Sequence, residues 1–174
     1  MNRRRKLARV DRRQLCQQDV EVRRGERLGQ HRDLAEMLGH ILQRRQIAGD
    51  EVMAIFVPGL AGGSYRAKAV RAGMSLLDAA GYGKSTPSWV DVGVGIASGE
   101  EFVGNVGGGG FKDFTAIGDV TNTAARLTSI AQAGEIVLDA DTHDAVADDY
   151  RAERELLSLK GKEAAVEAFR VRPG

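Results

Sequence analysis

The chain has 174 residues, 43% hydrophobic and 28% charged, with a net charge of +1, which suits one globular domain with its own core. Its single cysteine, Cys16, excludes an internal disulfide and fits a reducing compartment. No apolar run is long enough to span a bilayer, and the basic start MNRRRKLARVDRRQ has no apolar segment behind it, so a cytoplasmic protein is expected.

These averages conceal a seam. Up to Ala48 there are thirteen basic residues against six acidic ones; after it there are twelve against eighteen. All nine aromatic residues, Phe56 to Phe169, lie on the later side. Cores draw on aromatics for their large buried area. Residues 1–46 therefore read as a basic, divergent segment, and residues 47–172 as the globular domain. A shifted reading frame upstream would produce such a seam.

Residues 1–30 show no convincing period. From Asp33 onward, Leu34, Met37, Leu38, Ile41 and Leu42 recur at helical spacing, predicting an amphipathic helix to about Arg45. In GDEVMAIF, Gly49–Phe56, the acids Asp50 and Glu51 lead into a short continuous apolar run, the pattern of a strand covered on both faces. A carboxylate at the mouth of a core strand calls for a cation, and a metal ion is the usual one. PGLAGGS reads as a loop. In YRAKAVRAGMSLLDAAG, Ala67, Val70, Met74 and Leu77 line one helical face and Gly81 supplies a stop. GYGKST lacks the glycine that a phosphate-binding loop needs five residues before Gly83; Asp78 stands there.

WVDVGVGIASG alternates Val90, Val92, Val94 and Ile96 with Asp91, Gly93, Gly95 and Ala97, predicting a half-buried strand. EEFVGNV and FKDFTAI predict two strands joined by the flexible tip Gly107–Gly110. GDVTNTAARLTSIAQAG predicts a helix stopped at Gly134, with Val120, Ala124, Leu127 and Ala131 as its buried stripe. EIVL reads as a strand, ADTHDAVADDY as a short helix and LLSLKGKEAAVEAFRV as a closing hairpin. His31, His40 and His143 have no metal-ligand spacing and read as surface residues. This order predicts an α+β fold, a mixed and largely antiparallel sheet with flanking helices, in preference to a doubly wound sheet.

The chemistry concentrates on IGDVTNTAARL. Asn122 and Arg126 are four apart, so they share a face roughly opposite the stripe. Such a pair is either ordinary solvated polarity or a clamp for ribose and phosphate, since a guanidinium offers planar, permanent donors to phosphate oxygens.

GDEVMAIF, GVGIASGEEFVGNVG, DFTAIGDVTNTAARL, GEIVL and LKGKEAAVEAFRV occur in an order and spacing that resembles the catalytic domain of class III adenylyl/guanylyl cyclases. The resemblance covers about residues 47–172. It implies an α+β domain with a ferredoxin-like core that dimerises head to tail, with active sites at the interface. There ATP, or GTP, would be cyclised: the ribose 3′-hydroxyl attacks the α-phosphate and pyrophosphate leaves. By the same resemblance Asp50 matches the second metal-binding aspartate, Asn122 the ribose-orienting asparagine and Arg126 the arginine that stabilises charge at the α-phosphate. Lys160 matches the lysine that holds the terminal phosphates, and Thr115 falls where the purine is read. The implied cofactors are Mg²⁺ or Mn²⁺, two ions about 4 Å apart that activate the attacking oxygen and steady the leaving one.

The pattern breaks at its start. The family's first metal aspartate follows an apolar strand roughly forty residues before the second, and nothing of that form occurs here. Asp11, thirty-nine residues before Asp50, is the one acid near the right distance, and arginines surround it. Gln46 replaces the lysine that reads adenine. The first strand is therefore expected to be missing, and turnover by this chain alone to be weak or absent. Two functions stand close: a damaged adenylate cyclase making cyclic AMP, and a catalytically inactive, cyclase-like regulatory partner lending residues to an intact cyclase; the expected assembly is a homodimer or a heterodimer with an intact cyclase domain. A third, polyanion binding by the basic opening, has charge in its favour. That opening lacks aromatics for base stacking, so nucleic acid is not an expected partner.

Overall fold

The strand Val92–Gly99 explains most of the architecture. The computed structural model describes residues 17–24, 45–48, 51–85, 87–106, 113–157 and 165–173, and among them this strand carries a helix on each face. In chain order the elements are β1 (Gln17–Arg24), β2 (Arg45–Ala48), β3 (Glu51–Phe56), α1 (Pro58–Ala61), α2 (Tyr65–Ala80), β4 (Val92–Gly99), β5 (Phe102–Val106), β6 (Asp113–Ile117), α3 (Asp119–Ile130), β7 (Glu135–Asp139), α4 (Ala140–Asp144), β8 (Glu153–Leu157) and β9 (Val166–Val171). Seven strands form one sheet in the order β2-β3-β1-β4-β7-β9-β8, and β5 and β6 pair separately. The β4–β7 pair is parallel and the other described pairs are antiparallel. This is the mixed α+β sheet expected. No helix among the described residues is long and apolar enough to cross a membrane.

Alternation along β4 divides the core in two. Val92, Val94 and Ile96 join Val70, Leu76 and Leu77 of α2, together with Ile136 and Leu138 of β7, in the larger cluster. Ala97 joins Ala124 and Leu127 of α3, with Val137 and Ala168, in the smaller one. The expectation of a half-buried strand is therefore corrected: Val92 to Ser98 are all buried. Glycines do not register as apolar in a period-2 pattern, yet Gly93 and Gly95 are buried because α3 lies directly upon them.

Helix α2 ends at Gly81, whose φ of 102° is a left-handed cap that a side chain would strain. Its buried stripe runs through Ala69, Val70, Gly73, Leu76, Leu77 and Ala80, with Ala67 and Met74 packed at the edge. PGLAGGS is not wholly a loop, because Pro58 opens one helical turn, where its missing N–H is no loss. The discarded phosphate-loop motif is an ordinary turn in which Lys84 pairs with Asp78 at 3.3 Å. The closing hairpin is present as β8 and β9. It is tied to β7 by the buried Glu135, which accepts from Arg170, Arg172 (2.7 Å) and the Gln132 N–H (3.0 Å).

One expectation for the N-terminal part is revised and another lies almost wholly outside the described residues. A strand does occupy the place expected to be empty: β1 lies between β3 and β4, with Val22 paired to both Val52 and Val94. Without it, both neighbours would present an unpaired edge. The alternation in DVEVR is only two apolar positions long, too short to stand out beside its arginines. The helix expected from Asp33 lies outside the described residues as far as Arg44, and Arg45 already belongs to β2. There the backbone of Arg45–Ala48 pairs with Glu51–Ala54, so these residues form a strand at the edge of the sheet.

Candidate active site

Helix α3 is placed by the bareness of β4. A Cβ on Gly95 would sit 2.2 Å from the Thr128 nitrogen and 2.5 Å from the Ala124 oxygen, and one on Gly93 would sit 2.8 Å from the Ala131 oxygen. The helix backbone thus rests on the strand backbone. Its buried face is Thr123, Ala124, Leu127 and Thr128, with Val120 and Ala131 at the margin, so the predicted stripe is rotated slightly toward the threonines. Thr123 and Thr128 can be buried because their hydroxyls donate to the carbonyls of Asp119 (2.7 Å) and Ala124 (3.0 Å).

The start of α3 has no capping side chain of its own; Gly118 stands at the cap position. The capping comes from Glu101, a buried acid at the end of the β4–β5 connection. Its carboxyl accepts from the Thr121 N–H at 3.1 Å and from the Thr121 hydroxyl at 2.8 Å. No motif pointed to Glu101. The nearest signal was an acid directly before an apolar strand.

Asn122 and Arg126 stand one turn apart on α3. Asn122 is exposed, as expected. Arg126 is half-buried, and its Nη1 is buried without a hydrogen-bond partner. A buried guanidinium nitrogen left unpaired is costly and calls for an acceptor from outside the described residues. Thr115 lies on β6, three residues before Gly118, half-buried, with its hydroxyl 3.4 Å from the Ala116 carbonyl. The strand therefore leads from Thr115 directly into the helix bearing Asn122 and Arg126. Gln46 is on the edge strand β2, paired with Met53, on the far side of β3 and β1 from α3. Asp50, Lys160 and Asp11 lie outside the described residues.

The donor set for a two-metal site can be judged from register. Ala48 pairs with Glu51 and Arg23 with Glu51, so the end of β1 that approaches the β2–β3 connection carries Arg23 and Arg24. The acids of β1, Asp19 and Glu21, pair with Ile55 and Met53. At about 3.3 Å per residue, Asp19 is roughly 13 Å along the strand from Arg23. Arginines are not metal ligands, so these residues do not fit a complete two-metal centre. Among the described residues no group of three or more His, Cys, Asp or Glu converges as one.

A cavity of about 370 Å³ lies beside the first turn of α3, lined by Ser98, Asp119, Thr123, Asp139, Asp141 and Glu167 among others. Neither Asn122 nor Arg126 lines it, and its four acids disfavour a triphosphate. Burial pushes the Asp139 carboxyl above its ordinary value, against the opposing hydrogen bonds from Thr142 and Ser98. A raised folded value means that the fold favours the protonated acid. The stabilisation is complete below the unfolded value and is lost as pH rises through the folded one. Asp139→Ser keeps a cap for α4 but does not titrate. Wild type is therefore expected to gain melting temperature relative to this variant as pH falls from about 7 to about 4. A pH-independent difference would contradict the assignment.

His143 is not a plain surface residue. It stacks on Phe169, with ring centroids 3.8 Å apart and planes 4° from parallel, and its Nδ1 is buried. Packing of α4 against β9 created that contact, which spacing could not reveal.

The family described as the adenylate and guanylate cyclase catalytic domain matches residues 32–171. The adenylyl cyclase CyaB from P. aeruginosa has a similar fold: TM-score 0.76 at 21% identity, over 92% of this chain and 95% of that one. The guanylate cyclase domain of RhGC from Catenaria anguillulae, solved in complex with GTP, gives a TM-score of 0.79 at 16% identity, over 92% and 97%. An uncharacterized protein of Mycobacterium tuberculosis is 34% identical over 79 residues, 42% of this chain, and the match spans only 15% of that protein's length.

Proposed function

Because the chain belongs to the adenylate and guanylate cyclase catalytic-domain family, we propose that it takes part in cyclising a nucleoside triphosphate, ATP in the first instance, to the cyclic monophosphate and pyrophosphate. The observation that carries this reading is the unpartnered, buried Nη1 of Arg126, one turn from the exposed Asn122. In this reading the guanidinium donates to non-bridging oxygens of the α-phosphate, where negative charge grows as the ribose 3′-oxygen attacks. A donor already in place gains more from that charge than from the ground state. Asn122 orients the ribose, Lys160 holds the terminal phosphates, and Thr115 and Gln46 face the base.

The chain is proposed to work across a dimer interface and to be weak by itself. The arginines at the end of β1 stand where a complete centre needs an acid, so the partner best suited to it supplies both aspartates. An exposed apolar pair supports association: Phe102 and Ile117, direct cross-strand partners at the base of the β5–β6 hairpin, are 43% and 53% exposed.

The test is product formation by the purified chain with ATP, and separately GTP, in Mn²⁺, beside an Asp50→Asn control, then again in a mixture with an intact cyclase, where the control is that cyclase alone. Cyclic nucleotide above the control in either setting supports the reading. Product in neither setting, with no nucleotide binding, would remove it.

A further inference from the structure

Glu101 is 4% exposed, and both its carboxyl oxygens lie 3.1 Å from the Thr121 N–H, one of them also 2.8 Å from the Thr121 hydroxyl. Burying a carboxyl for a surface cap is poor economy, since an aspartate or serine at position 118 would cap α3 locally and exposed. Position 118 is instead a glycine with φ 159°, against which the Glu101 side chain packs: a Cβ there would stand 2.6 Å from its Oε1. The glycine makes room for the acid. The acid and the glycine also stand at the two feet of the β5–β6 hairpin. Phe102 follows Glu101 directly, Ile117 precedes Gly118, and Phe102 pairs with Ile117.

We infer that Glu101 is a positioning residue, resting on the function proposed above: it clamps the base of the β5–β6 hairpin to the first turn of α3 and thereby sets where Asn122 and Arg126 stand. Asn122 follows Thr121 immediately, and its own N–H reaches the Gly118 carbonyl at a long 3.4 Å. That bond is long, and the bonds from Thr121 to the Glu101 carboxyl are the ones that tie this turn to the hairpin. A partner chain pressing on Phe102 or Ile117 would act on the same clamp.

The experiment compares wild type with Glu101→Ala, Glu101→Gln and Thr121→Val by amide hydrogen exchange and by steady-state kinetics. The glutamine can still accept from the Thr121 N–H through its carbonyl and donate to the hydroxyl. Exchange at residues 121–123 should accelerate about tenfold or more in Glu101→Ala, while β4 and α2 stay protected, and Glu101→Gln should stay near wild type. Thr121→Val, which keeps the N–H bond but not the hydroxyl, should fall between them. In whichever setting gives turnover, alone or mixed with an intact cyclase, Glu101→Ala should lower kcat about tenfold with KM within about twofold, and Glu101→Gln should restore most of it. Unchanged exchange at the start of α3 in Glu101→Ala overturns the inference, as does an equal kcat in the alanine and glutamine variants. If Glu101→Ala fails to fold, wild-type exchange and kcat in Thr121→Val overturn it. Exchange is read without turnover, so a chain inactive in both settings counts against the proposed function and leaves this arm to decide.

Discussion

Gly95→Ala is expected to destabilise the protein by about 4 kcal/mol, beyond the usual range for overpacking, which corresponds to a melting temperature lower by roughly 10 °C for a domain of this size. One methyl group has this effect because of what it meets. The new Cβ would fall 2.2 Å from the Thr128 nitrogen and 2.5 Å from the Ala124 oxygen, both backbone atoms of α3. A side chain could rotate aside; a helix must translate. Any structure that survives must lift α3 off β4, opening the cluster of Ala97, Ala124, Leu127 and Val137 and carrying Asn122 and Arg126 with it. By contrast, Gly59 and Gly63 have nothing within 4 Å of an added Cβ, and Gly63→Ala should move the melting temperature by no more than about 2 °C. Thermal melts of the two variants side by side check the claim, and equal melting would show that α3 does not rest on the strand as described.

Arg126→Ala should separate stability from function. In a mixture with a cyclase that retains both of its aspartates but lacks its own arginine and asparagine, the wild-type chain is expected to restore cyclic nucleotide formation. The variant should restore at least about a hundredfold less, the scale of losing one preorganised donor at developing charge. Its melting temperature should stay level or rise, since a buried nitrogen with no partner contributes nothing to the fold and costs desolvation. A variant that lost stability and activity together would point to a structural arginine. Equal activity of the two chains in the mixture would show that the complementing site is not built from this helix.

The sequence alone carried the family, the α+β class and the long elements after residue 51. In these segments period, caps and glycine stops agree: Gly81 ends α2, and the periods of β4 and α3 were legible. It also located Asn122, Arg126 and Thr115 on one continuous stretch from β6 into α3. The tertiary structure decided what depends on contact between distant segments. Strand β1 exists through its pairing with β3 and β4, which its own two alternating valines could not announce. The glycines of β4 are buried because a helix that begins twenty residues later lies on them, and a pattern that scores glycine as neutral cannot register this. Glu101 became a cap only when the chain folded its hairpin back to Thr121. Period reveals which face of an element is apolar; the identity of the partner on that face, and the polar atoms it leaves satisfied or orphaned, are properties of the assembled fold.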